Sequence, residues 1–276
     1  MAEQILSRPA SAAPPGTGRF ALRTIVVLYV GIIAVVPVSV LFWRALKPGL
    51  GKFFDAITAP AAIDAFERTG VIAVWAVVLN TVFGVAVALL LSRYRFPGRR
   101  ILDAFVDLPV AISPIVVGMA LVLVYGAGGW FGLGVNQVIG AMPGMVLATV
   151  FVSLPLVLRS VLPVLEEAGI EQEQAAASLG AKWFATFRRI TLPTIRTALG
   201  YGVVLALARS IGEFGAVLVV SNNFQSTQTA PLLVDSLLQD DFKPDQAYAI
   251  AFVLMLVSIL AIVTTALLRR RKQATS

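Results

Sequence analysis

The chain has 276 residues, of which 58% are hydrophobic and only 13% charged. Soluble domains carry roughly 45–50% apolar and about 25% charged residues, so a soluble enzyme, a disordered chain and a nucleic-acid binder all fit poorly, despite a formal charge of +7. With no Cys and no His, disulfides, thiol nucleophiles, zinc sites and imidazole acid–base chemistry are excluded together. A helix crossing a hydrocarbon layer of about 30 Å needs about 20 apolar residues, and the chain offers six candidate spans. Residues 1–23, with Pro9, Pro14, Pro15 and Gly16, read as a disordered cytoplasmic tail. Thr24–Trp43 is the first span, with Pro37 inside it, and it is too long and lacks the small-residue site of a cleaved signal. Gly70–Leu91 is the second. Leu108–Tyr125, opening on Pro109 and Pro114, is the third, and Met142–Leu158, with Pro143 and Pro155, is the fourth. Ala198–Val220 is the fifth and holds Arg209 and Glu213; Ala247–Leu268 is the sixth and ends in a basic tail, residues 269–276.

The connections alternate in charge. Sixteen basic residues fall in the two tails and in the segments 92–107 and 159–197, against five on the other side. That asymmetry places both termini in the cytoplasm. Of the outward connections, residues 126–141 hold six glycines, no charge and the interfacial aromatics Trp130 and Phe131. Residues 221–246 carry Asp235, Asp240, Asp241 and Asp245 against one Lys, a solvated acidic face without a compact metal-ligand pattern.

The inside segment 159–196 is built for helices. Glu166–Leu179 is acidic and then Ala-rich, which suits a helix dipole and helix propensity, and Gly180 stands where a left-handed residue closes it. Trp183, Phe184, Phe187 and Ile190 then share one apolar face, with Lys182, Arg188 and Arg189 around it, and Pro193 stops or redirects the chain. The expectation is a helix–turn–helix hairpin parallel to the membrane surface. Such a face serves equally for anionic membrane lipid or for the groove of a cytoplasmic partner.

The residues of that hairpin carry a family pattern. Gln174-Ala175-Ala176, three residues, Gly180, nine residues and Ile190-Thr191-Leu192-Pro193 resemble the EAA loop of ABC importer permeases, with Gln174 in place of the usual acid and Glu173 beside it. The resemblance implies an all-α permease domain over residues 24–268, with the hairpin as a coupling helix seated in a separate ATP-hydrolysing subunit. Closure of two such subunits would lever paired permeases between inward and outward states. Glu173, Ala175, Ala176, Gly180, Trp183, Phe184, Phe187, Ile190, Leu192 and Pro193 would then be the coupling residues. No phosphate loop of the G-x-x-x-x-G-K-[ST] kind is present; on this reading the chain is not itself an enzyme, needs no cofactor of its own, and relies on ATP and Mg bound by the partner.

Arg209 and Glu213, four residues apart on one span, form the intramembrane charge pair. Placing Arg at the centre of a membrane helix costs about 2.5–3.5 kcal/mol on insertion scales, so such groups face a bundle interior or an aqueous path. They either pair with each other or lower the barrier to an anion. Asn80, Thr81, Ser113, Thr149 and Ser153 are the polar groups on the other spans, and backbone freed near Pro114 is a further path candidate. The runs Arg95–Arg100, Asp107–Gly118 and Tyr201–Val217 resemble sulfate/thiosulfate permeases of the W type. That resemblance implies a second permease of the T type, two ATP-binding subunits, an extracytoplasmic sulfate-binding protein and a bacterial inner-membrane location. A Gly-Glu-Phe-Gly-Ala stretch shared with molybdate permeases keeps a molybdate/tungstate importer open. An ion-coupled secondary anion carrier is the rival from another transport class. A membrane enzyme has no nucleophile, base or metal constellation to support it.

Overall fold

The computed structural model describes residues 17–131, 138–221 and 227–273. The tail before Thr17, the middle of the glycine-rich connection and residues 222–226 lie outside the described residues. Every regular element among the described residues is helical: α1 (Thr17–Leu46), α2 (Leu50–Ile57), α3 (Pro60–Arg93), α4 (Arg99–Ala111), α5 (Pro114–Tyr125), α6 (Met142–Ala168), α7 (Glu171–Ser178), α8 (Trp183–Thr186), α9 (Leu192–Ile211), α10 (Gly215–Ser221), α11 (Ala230–Gln239) and α12 (Pro244–Gln273). Among the described residues, five helices are long and apolar enough to cross a membrane, or six when the bent pair α4–α5 counts as one. The first span begins earlier than its apolar core, since residues 17–23, expected in the tail, are helical. The second lies inside the 34-residue α3, which at 1.5 Å per residue reaches about 50 Å and projects beyond a bilayer of about 30 Å.

Two expected spans are broken. The third divides into α4 and α5, bent by 114°. Pro114 sits at the first turn of α5, and Ser113 before it is held extended at φ −60°, ψ 134°, as a residue preceding proline prefers. The fifth ends as α9 at Ile211 and restarts as α10 at Gly215. At that second break the Ala216 N–H donates to the Glu213 carboxylate at 3.0 Å, so a side chain captures a backbone donor.

The inside hairpin also departs from expectation. The helix expected over Glu166–Leu179 is cut at Gly169, whose φ of 66° is left-handed, so Glu166–Ala168 extend α6 and α7 stands alone. Pro193 neither stops nor turns the chain. A π-helical turn over Phe187–Thr191 joins α8 to α9, with the Leu192 N–H donating to the Phe187 carbonyl. Pro193 falls in the first turn of α9, and the wider turn accommodates its missing N–H.

The body packs around α6. On its C-terminal half, Val157, Leu158, Val161 and Leu165 meet Val85, Ala88 and Leu91 of α3, Val106 of α4 and Ile195 and Ala206 of α9. Small residues set the spacing: a Cβ added at Gly202 would lie 3.0 Å from the Val157 backbone. On its N-terminal half, Ala148 and Val152 pack with Val117 of α5 and Ala216 and Val220 of α10. α11 wedges Leu233 and Leu237 between Ala62 and Ala65 of α3 and Ala247 and Ile250 of α12.

Candidate functional site

The α7–α8 hairpin and the two broken spans are the places where the structure gathers the candidate residues. In the hairpin, Glu171 and Glu173 occupy the first turn of α7, where the helix dipole favours carboxylates. The far end closes as a Schellman motif. The Ala181 N–H donates to the Ala176 carbonyl at 3.0 Å and the Gly180 N–H to the Ala177 carbonyl at 2.9 Å, with Gly180 left-handed at φ 83°. Ala175 and Gly180 are exposed and Ala176 half-buried.

The expected apolar face divides. Phe187 and Leu192 turn inward onto the α3–α6 core, Ile190 is half-buried and Pro193 is exposed. Trp183, stacked on Phe187 at 5.9 Å between ring centroids, and Phe184 point outward, 73% and 63% exposed. Leu179, 89% exposed, joins them as a third large apolar group. Sequence periodicity missed Leu179 because it belongs to the turn between the helices and not to either helical face.

Glu173 is not a free acid. It accepts two hydrogen bonds from Arg93, at 3.0 and 3.1 Å, and one from the Thr191 hydroxyl at 2.8 Å. Arg93 also donates to the Leu165 carbonyl at 2.9 Å. Sequence reading counted Arg93 only among the cations of segment 92–107; its position two residues past the apolar run Gly70–Leu91 was the available signal. A groove of about 950 Å³ runs between α3 and the hairpin, lined by Val85, Leu89, Phe187 and Leu192, with Arg93 and Glu173 on its wall.

In the bundle, the two breaks meet. A Cβ added at Gly215, at the start of α10, would lie 3.2 Å from Pro114 Cβ, and one at Gly118 would lie 2.8 Å from the Ala216 carbonyl. Ser113 and Pro114 therefore stand beside the segment that carries Glu213. Arg209 donates to Glu213 at 2.6 Å, and the other carboxylate oxygen caps α10 through Ala216. Glu213 is buried, whereas the Arg209 side chain is 39% exposed. The arrangement is an anchored acid and a cation with one open side.

Asn80 is fully buried. Its amide donates to Ser153 at 2.8 Å and to the Val150 carbonyl at 3.2 Å, and Ser210 donates to Ser153 at 3.4 Å. Asn80 thus holds α6 against α3 and is connected through Ser153 to Ser210 of α9, the residue that follows Arg209. Interhelical hydrogen bonding of this kind is the ordinary use of Asn and Ser inside membranes.

Residues 80–273 match a family described as the binding-protein-dependent transport system inner membrane component. The chain is 43% identical over 256 residues to the sulfate transport system permease protein CysW of Synechococcus elongatus, covering 91% of this chain and 89% of that one. It is 39% identical to CysW of Escherichia coli, covering 98% and 94%, and 37% identical to the sulfate permease CysT of Salmonella typhimurium, covering 88% and 90%. Its fold is similar, at a TM-score of 0.74 and 16% identity, to a chain of a bacterial ABC transporter that imports the acidic polysaccharide alginate, covering 92% of this chain and 95% of that one. By its sequence over most of its length, this chain is a multi-pass membrane protein of the binding-protein-dependent transport system inner membrane component family.

Proposed function

We propose that the chain is a permease subunit of an ATP-driven sulfate/thiosulfate importer, of the W type. It forms the translocation pathway with a second permease of the T type. Two ATP-binding subunits bind ATP and Mg and supply the energy, and an extracytoplasmic binding protein delivers the anion. Both termini lie in the cytoplasm, and no step of hydrolysis falls to this chain. The observation that carries the reading is the hairpin: Leu179, Trp183 and Phe184 project from a short helical unit on the side richest in basic residues. Exposed side chains of that size at the tip of a hairpin fit the groove of a protein partner.

Sulfate is favoured over molybdate because relatives of both the W and the T sulfate types cover most of the chain. Arg209 lowers the electrostatic barrier for a divalent oxyanion, and Glu213 keeps the site from holding it. Proteoliposomes containing the full complex test this directly. Labelled sulfate accumulates with ATP and the sulfate-binding protein, while labelled molybdate does not. Accumulation of molybdate in preference to sulfate reverses the assignment, and accumulation by this chain alone replaces the importer with a carrier.

A further inference from the structure

We infer that Arg93 and Glu173 form the linkage through which movement of the hairpin reaches the membrane helices; the inference rests on the hairpin being the ATPase docking element. The coupling helix α7 has no buried residue of its own, so apolar packing does not weld it to the body. A groove lies between the hairpin and α3. Across that groove the Arg93–Glu173 bridge is bidentate, with side chains only 13% and 23% exposed. One carboxylate therefore ties α7 to the end of α3, through Thr191 to the π turn that leads into α9, and through Arg93 to the Leu165 carbonyl near the end of α6. A planar guanidinium–carboxylate fork fixes direction as well as distance, and partial burial keeps it from being screened as a surface pair is. Push or pull on α7 is delivered to three membrane helices at once. Arg93 and Glu173 act by positioning; neither touches the anion.

The test uses the assembled complex in liposomes and measures anion imported per ATP hydrolysed. Arg93→Gln and Glu173→Gln are each expected to keep the ATPase bound and hydrolysing, while import per ATP falls roughly tenfold, within the usual range of coupling energies. Arg93→Lys, which keeps the charge but not the fork, is expected to fall between them and the unaltered complex. Because the chain has no cysteine, Arg93→Cys with Glu173→Cys in an otherwise cysteine-free complex allows the link to be rebuilt with a bifunctional thiol reagent, which is expected to restore import per ATP. Normal stoichiometry in the Gln variants, or no recovery on cross-linking, would overturn the inference. So would loss of the ATPase from either Gln variant, since the pair would then be an assembly contact. Failure of the unaltered chain to hold any ATPase would instead defeat the docking reading beneath it.

Discussion

At the level of single residues, the structural role of the Arg209–Glu213 pair and its proposed role in transport can be separated by mutation. Arg209→Gln leaves the buried Glu213 carboxylate with the Ala216 N–H as its remaining partner. Breaking a buried pair costs about 3–5 kcal/mol, and the partial exposure of Arg209 puts the expected loss at or below the lower end of that range. A thermal unfolding series checks it. Adding Glu213→Gln removes the stranded charge and is expected to recover much of the stability, whereas sulfate uptake stays low because the cation is still missing. Recovery of uptake together with stability would assign the pair to structure alone. Asn80 predicts the opposite pattern. Hydrogen bonds between membrane helices contribute about 0.6 kcal/mol on average and up to about 1.7, so Asn80→Ala is expected to lower stability by about that much and leave the preference among oxyanions unchanged, as competition uptake will show.

Among the elements, what was legible depended on whether the cause was local. Gly180 announced the end of α7 because a left-handed closing residue is a local requirement, and Gly180→Ala is expected to weaken α7 by about 1–2 kcal/mol, seen as faster hydrogen exchange in that helix alone. Pro114 announced a break because proline constrains its neighbour, although the 114° angle depends on how α5 packs against α10. The break after Ile211 was hidden: Ala198–Val220 reads as one apolar run, and the interruption comes with Glu213 capturing the Ala216 amide. Pro193 misled in the other direction, since a π turn absorbs it within a continuous helix. The hairpin's apolar face was read as one surface, but three-dimensional packing draws Phe187 and Leu192 into the core and leaves Trp183, Phe184 and Leu179 outside.

For the whole molecule, composition and span spacing were enough to give an all-helical membrane body, because the cost of dehydrating backbone groups leaves long apolar stretches few alternatives. The helices that carry charge inward could not be ranked from sequence; only packing shows that Arg93 serves as a tie and Arg209 retains an open face. On the proposed function this body is a gate driven through its hairpin. Surface substitutions away from packing rarely cost more than about 0.5 kcal/mol, and losing the Trp183–Phe187 stack adds only about 0.5–1.5 kcal/mol, so Leu179→Ser, Trp183→Ser and Phe184→Ser together should leave insertion and folding intact. The decisive measurement is ATP-dependent accumulation of labelled sulfate in proteoliposomes carrying the complete complex with and without those three changes. The unaltered complex is expected to accumulate sulfate and hold its ATPase, and the altered one to lose both; undiminished accumulation by the altered complex would contradict the account.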